Sequence, residues 1–493
     1  MSRYITLFDK LTWHVLNIDD FNIYNVKTKP FFSRNDTILT FQVSELIRTL
    51  NVGKYPKLPN IIDLESFDKQ FSQSGSDIYD FQNWSISKML KYHNINFNDI
   101  KHDVNQKKQL LEQLASLYLE LINSKIEENE RFEETEMKIN KIIYNRQLKG
   151  IGFDKEIAEK KSKLIEKEIY RIKNELQLEH NIFQPDNQNQ QREWLVSKEY
   201  KIIQSLQNSF EIKRNDDKVC SLFYELIRNQ QDLESFLIML GSWGANKRTY
   251  PSFIGFGTIT SRITVRQPSL QNIRKINRDV IVPDEFKKLL YVDYSQFEAG
   301  ILASLSEDND LIELYNQDIY KDLAKFVFKD ENKRKEAKII FYRYMYGDTS
   351  LGYLAKEYFK KFIKLNDYVN KIKLQILSEK KIGTIEGNFR LSENEETTWG
   401  LSHQVQATAS LIFKKALIAV SKNVPSAEFL IPMHDAALYQ IKEDRYEISK
   451  IEIIKIFKTE FKRVCNKINV EVTSGGFFID PIIPGAQSTE TKR

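Results

Sequence analysis

The sequence predicts a large, predominantly helical protein with a smaller strand component. Three observations carry that reading. Between residues 105 and 180 apolar side chains recur every three to four positions, first in LLEQLASLYLELI and then in DKEIAEKKSKLIEKEIYRIKNELQ, which is the spacing of amphipathic helices. Two shorter apolar runs, KLLYVD and EFLIPMHDAALYQI, read instead as a buried strand and a β-hairpin. A length of 493 residues with 41% hydrophobic content supports a sizeable core and about two to four domains.

Composition excludes several classes. No run of about 18 apolar residues occurs, so no membrane span is expected. The start, MSRYITLFDKLTWHV, lacks a basic stretch followed by a long apolar one, so no secretory signal is visible. Cys220 and Cys465 are too few for a disulfide framework or a Cys-rich zinc site, which points to a reduced compartment. The net charge of +5 is too small to mark a nucleic-acid binder, so the distribution of charge must decide.

Taken in order, residues 1–100 are aromatic-rich and without clear periodicity. The acidic run KIEENERFEETEMK follows the first helix. Gly150 and Gly152 interrupt the pattern before Asp154 caps the next long helix, which is either one arm of a solvated hairpin or a nucleic-acid-facing arm. Residues 235–278 hold no Asp or Glu but carry Lys247, Arg248, Arg262, Arg266, Arg274, Lys275 and Arg278 among Thr, Ser, Gln and Asn. Such a stretch suits phosphate and sugar contacts, and equally an ordinary basic loop.

The strand Leu289–Val292 ends in Asp293, and an amphipathic helix is expected from near Gln296. In NKRKEAKIIFYRYMYGD, Arg334, Lys338, Tyr342 and Tyr346 are spaced four apart, so on a helix they drift only about 40° per step and share one side. The hairpin turn at His434 delivers a second carboxylate, Asp435. Two carboxylates brought together repel one another unless divalent cations lie between them. Seen singly, these features read as a helix cap, an exposed charged helix and a turn.

Their order resembles DNA polymerase family A, the relatives of bacterial polymerase I. The family's TGRLSS…PNLQNIP stretch appears as Thr260-Ser261-Arg262-Ile263-Thr264 and Pro268-Ser269-Leu270-Gln271-Asn272-Ile273. DYSQIELR appears as Asp293-Tyr294-Ser295-Gln296-Phe297-Glu298-Ala299-Gly300. RxxxKxxxFGxxYG appears as Arg334, Lys338 and Tyr342 to Gly347, QGTAA as Gln406-Ala407-Thr408-Ala409, and VHDE as Met433-His434-Asp435-Ala436. The resemblance covers residues 138–485. Three positions depart from it: Ala436 stands for a Glu, Gly300 for an Arg and Arg343 for a Gly.

The resemblance implies a helix-rich α+β, right-hand polymerase fold with an antiparallel palm sheet, helical fingers and thumb, and a small N-terminal domain. The implied divisions are 1–110 for an N-terminal domain that is a degenerate or absent exonuclease and 111–249 for connecting helices and thumb. Palm follows at 250–300, fingers at 301–383 and palm again at 384–485, before a polar tail at 486–493. The implied activity is template-directed extension of a primer 3′-hydroxyl with dNTPs by two-metal nucleotidyl transfer. Asp293, the Tyr294 carbonyl and Asp435 would hold two Mg2+ ions, with Mn2+ as an alternative.

In the same reading Asp293, Asp435 and Lys338 are the catalytic groups, and Arg334, Lys338, Tyr342, Tyr346, Glu298 and Gln296 contact the nucleotide. Arg262, Gln271, Asn272, Gln406 and His434 contact DNA. The implied partners are primer-template DNA, dNTPs and replisome proteins, with a monomeric chain in the cytoplasm of a bacterium or phage-infected cell. Abundant Lys, Asn and Ile suggest an AT-rich genome, the compact size leans toward a phage or mobile element, and the short spans between motifs suggest a trimmed polymerase. Asp63-Leu64-Glu65 is the one DxE candidate for a 3′–5′ exonuclease. Too few residues follow it for the rest of such a domain, so proofreading is not expected. The alternative from another class is a non-catalytic or weakly catalytic DNA-binding replication or priming partner.

Overall fold

The first sixty residues, which show no periodicity, form a five-stranded mixed sheet. In the computed structural model of the protein its order is Ile23–Val26, Trp13–Asn17, Arg3–Phe8, Thr37–Thr40, Asn60–Asp63. The first three strands are antiparallel neighbours, and the last three run parallel. Thr37–Thr40 is buried at every position, as expected of an inner parallel strand covered on both faces. The helix Val104–Ser124 lays Leu110, Leu111, Leu114 and Ala115 into a core shared with Ile5, Leu7, Leu39 and Ile62. The sheet thus precedes Asp63, which ends its last strand, rather than following it as the DxE argument assumed.

The structure describes residues 2–9, 11–27, 30, 32–51, 58–73, 84–95, 104–200, 202, 205–241 and 247–478. The tail expected at 486–493 and the end of the expected palm lie outside these residues. The chain divides into two units. One is Met1–Lys149, Ser252–Thr264 and Leu290–Ser474; the other is Gly150–Pro251, Val265–Leu289 and Gly475–Arg493.

The first unit holds a second sheet, ordered Ala427–Met433, Ala436–Lys442, Lys287–Tyr294, Val472–Ser474. The helices Gly400–Asn423 and Tyr446–Val464 pack on one another and on this sheet. The expected hairpin is present, with Met433 opposite Ala436. Six α-helices, Phe297–Ser306, Asn309–Gln317, Ile319–Phe328, Arg334–Met345, Tyr353–Lys360 and Ile363–Glu379, lie between the strand of Asp293 and the short pair Lys381–Thr384 and Gly387–Leu391. The expected antiparallel palm sheet and helical fingers are therefore both seen, in a helix-rich α+β protein.

One expectation is corrected. The helix after Gln296, Phe297–Ser306, is not amphipathic: every residue from Phe297 to Ser304 is buried, because helices pack around it from several sides. The acidic run is partly buried as well. Glu128, Arg131 and Glu136 are buried, and a π-helical turn, Phe132–Glu136, interrupts the α-helix there.

In the second unit, the helices Lys155–His180 and Lys218–Gly241 pack together over Ile172, Leu176, Phe210, Leu222 and Phe223. Asp154 caps the first of them, accepting from the Ile157 N–H at 2.9 Å. Cys220 and Cys465 are buried and unbridged. Among the described residues no helix is long and apolar enough to cross a membrane.

Candidate active site

Strand alternation presents the first carboxylate. Leu290, Val292 and Tyr294 turn into the core, so Tyr291 and Asp293 face the half-exposed side. The Tyr294 ring stacks on Phe297 at 4.1 Å and its hydroxyl donates to the Phe457 carbonyl at 2.9 Å, which fixes the strand end. Asp293 pairs across to Thr473 on one side. The strand on its other side begins at Ala436, directly after Asp435. Asp435 and His434 form the hairpin turn, with His434 in the left-handed region at φ 59° and exposed.

Arg262 joins these pieces. Its Nη2 lies 2.5 Å from Glu298 Oε1 and 3.7 Å from Asp435 Oδ1. Burial disfavours the guanidinium charge, but Asp435 and Glu298 outweigh it and hold the pKa above its ordinary value. Glu298 is 2% exposed. Burial pushes its carboxyl up to about 7 against the pull of Arg262, and the Asp435 charge adds to the rise. Its Oε2 is buried with no hydrogen-bond partner among the described residues.

The helix Arg334–Met345 supplies the opposite wall. Arg334 Nε donates to Asp318 at 2.7 Å, and its guanidinium lies 5.1 Å from the Tyr320 ring. Lys338 Nζ lies 5.9 Å from that ring and 5.7 Å from Tyr342. Tyr342 shares a hydrogen bond with Tyr320; burial, and the negative charge of Glu298 and Asp435, keep its hydroxyl protonated. Tyr342 and Tyr346 stack at 6.4 Å, and Gln406 donates to the Tyr346 hydroxyl at 2.6 Å. The four-residue spacing read from sequence thus does put these side chains on one side.

Asp318 and Tyr320 escaped sequence reasoning. Asp318 caps the helix Ile319–Phe328, and that Asp-x-Tyr helix start was their only local signal. Gln296 begins the helix of Glu298 at φ 49°, with its side-chain oxygen buried and unpartnered among the described residues.

Gln271 and Asn272 belong to the second unit. They form a short 3-10 turn in which Arg228 donates to the Asn272 carbonyl at 2.9 Å. Part of the basic stretch is neutralised by carboxylates that lie outside it. Arg248 pairs with Asp284 at 2.6 Å, and Arg274 pairs with Asp232 at 2.6 Å and Glu225 at 2.8 Å. Arg278 lies over the Phe477 ring. Lys247 and Lys275 are exposed.

The departures have local causes. A Cβ on Gly300 would come within 2.9 Å of the Tyr315 ring, whose hydroxyl donates to the Ser295 carbonyl; no arginine fits there. Arg343 turns to Asp348 at 2.7 Å. Ala436 is buried and brings no third carboxylate.

Asp293 on its strand, Asp435 in the turn before the neighbouring strand and the Tyr294 carbonyl would offer only oxygen, which suits a hard divalent ion. Residues 151–477 match the sequence pattern of DNA polymerase family A. DNA polymerase I of Helicobacter pylori is 30% identical over 250 residues, 43% of this chain and 28% of that protein. The Borreliella burgdorferi DNA polymerase I is 28% identical over 377 residues, 64% of this chain and 41% of that protein. The chain therefore spans well under half the length of these two relatives. The fold is that of the POL domain of Pol1 from M. smegmatis in complex with DNA primer-template and dNTP, with TM-score 0.72 and 16% identity over 96% of this chain and 94% of that one. With the matched pattern covering well over half of its residues, the chain belongs to DNA polymerase family A.

Proposed function

We propose that the chain is a template-directed DNA polymerase that extends a primer 3′-hydroxyl with dNTPs. The observation that carries the reading is the meeting of Arg262, Glu298 and Asp435 opposite Lys338 and Tyr342 on a family A frame. Asp293, Asp435 and the Tyr294 carbonyl would hold two Mg2+ ions, or Mn2+. When bound, such ions lower the pKa of the attacking hydroxyl and neutralise the leaving pyrophosphate.

The chain's own groups do the rest. Arg334 and Lys338 grip the triphosphate, with Arg334 exchanging Asp318 for phosphate oxygens. Lys338 then faces the charge that develops as the α-phosphate passes from pyrophosphate to the primer oxygen. Tyr342 stacks on the incoming base and sugar, and Tyr346 lies beside the templating position. Glu298 fills the 2′ side of the sugar, and Gln296 supports it. Arg262, Gln406 and His434 contact the primer-template end, and Gln271 and Asn272 the duplex. Closure of the helices 309–379 around a correctly shaped pair supplies base selection.

Proofreading is not part of the proposal. Asp63 accepts from the Glu65 and Ser66 N–H groups and the Ser66 hydroxyl, and Glu65 pairs with buried Lys69. Asp9, which follows the central strand at the same end of the sheet, is held by Lys107 and His14. These carboxylates already serve as cap and ion-pair partners. The chain would act as a monomer with replisome proteins, on DNA in the cytoplasm of a bacterium or phage-infected cell.

Primer extension on a defined template tests the reading. Wild type should extend with dNTPs and Mg2+ far better than with rNTPs. Asp293→Ala and Asp435→Ala should each abolish extension while primer-template binding, carried mostly by phosphate contacts, persists. Binding without any extension by wild type would favour the non-catalytic replication partner instead.

A further inference from the structure

A buried ion network lies beneath the loop that carries Arg262. Arg131 and Lys414 are fully buried, and Glu136 is 3% exposed. Glu136 accepts from Arg131 Nε at 3.0 Å and from Lys414 Nζ at 2.6 Å. Both cations also converge on one hydroxyl. Ser261 Oγ accepts from Arg131 Nη2 at 2.6 Å and from Lys414 Nζ at 3.2 Å. The Ser410 hydroxyl donates to the Ser261 carbonyl at 2.7 Å, and its oxygen lies 3.0 Å from Ser261 Oγ. Glu136 reaches this point from the π-helical turn Phe132–Glu136, a form often found where function demands an unusual side-chain aim.

Such a network is a poor way to gain stability, because buried ion pairs roughly break even against apolar packing. Burial pushes the Lys414 pKa down to about 8, with Glu136 pulling it back up. The peculiarity lies in what is held. Ser261 sits in the left-handed region at φ 60°, where the resembling motif has glycine, and the next residue is Arg262. Within the loop, Ser261 N–H donates to the Thr258 carbonyl and Gly257 N–H to the Arg262 carbonyl, and at its start Lys69 Nζ donates to the Gly257 carbonyl at 3.2 Å. A side chain in a glycine conformation needs an external hold, and the Ser261 hydroxyl receives one from two cations.

We propose that Arg131, Glu136, Lys414 and Ser410 are positioning residues that act through the Ser261 hydroxyl to hold the guanidinium of Arg262 against Glu298 and Asp435. Its kinetic consequence rests on the polymerase reading above. The test uses the full chain with Ser261→Ala, which loses the hydroxyl, and Ser261→Gly, which loses it while relieving the backbone. Neither overfills the core. Ser410→Ala, which leaves Glu136 paired with both cations, replaces them should they fold poorly.

Without substrate, the Arg262 side-chain 15Nε–Hε resonance, assigned by its loss in Arg262→Lys, should be sharp in wild type and broadened or shifted in each variant. In single-nucleotide incorporation kcat should fall on the order of ten- to a hundredfold, as expected when a group near the chemistry is misplaced by about 1 Å, with primer-template Kd unchanged. In an Arg262→Ala background Ser261→Ala should add no further loss. An unchanged Arg262 resonance in folded variants, or losses that multiply in the double variant, would overturn the proposal. Should wild type fail to extend primers, the polymerase reading falls, while the resonance still decides the positioning role.

Discussion

Tyr342 occupies the place where many relatives carry Phe, and its hydroxyl already has a partner in Tyr320. A hydroxyl at that place can replace the interaction lost when a nucleotide lacks its 3′-hydroxyl. The chain should therefore accept dideoxynucleotides, and Tyr342→Phe should discriminate against them by about 0.5–1.5 kcal/mol, a factor of a few to roughly tenfold. The ratio of kcat/KM for ddNTP and dNTP in both proteins measures it; equal ratios would mean that Tyr342 does not face the sugar. A second residue sets a pH dependence of stability. His403 is buried, with Nε2 3.0 Å from the Asn388 carbonyl, and burial pushes its pKa down to about 4. The unfolded chain protonates near 6.5, so between 6.5 and 4 it binds more protons than the folded one, and stability falls as pH drops through that window. The loss is on the order of 3 kcal/mol when complete. Urea midpoints from pH 7 to 4 should decline in wild type and decline less in His403→Gln. The Tyr342 effect was legible in the sequence, because the motif position carries Tyr in place of Phe; the His403 effect was not, because the sequence offers the residue but not the Asn388 carbonyl and the burial that give it an environment.

Elements with a strong motif were legible, and elements defined by burial were not. The strand of Asp293, the Arg334 helix and the His434 hairpin each combine a local pattern with a turn or cap, so their placement was readable. The N-terminal sheet was invisible because inner strands such as Thr37–Thr40 bury both faces and show no alternation. The burial of the acidic run was not legible because one partner of Glu136, Lys414, is 278 residues away. In the basic stretch the ion pairs of Arg248 and Arg274 were not legible, since Asp232, Glu225 and Asp284 lie outside it. Gly300 shows how tightly one element is seated. Gly300→Ala should force the Tyr315 ring aside and destabilise the protein by about 1–3 kcal/mol, read as a lower urea midpoint with unchanged slope. An unaltered midpoint would show that the ring yields freely.

At the scale of the molecule, the N-terminal sheet shares a unit with the candidate active site, yet its carboxylates are committed to caps and lysines. The purified protein should leave a mismatched 3′ end intact over hours with Mg2+; trimming that disappears in Asp63→Ala would reverse this reading of the sheet. The fold class, the two carboxylate-bearing strands and the family were all readable from motif order, because that order survives where overall identity is low. The division into two interleaved units was not readable, since no composition shift marks residues 252 or 290. One feature of the palm sheet carries a consequence for synthesis. The neighbour that flanks Asp293 on one edge is Val472–Ser474, made some 180 residues after it. On the ribosome that edge stays open until residues 472–474 have emerged, so a nascent chain stalled before them would expose an unpaired strand beside Asp293, a natural target for chaperones.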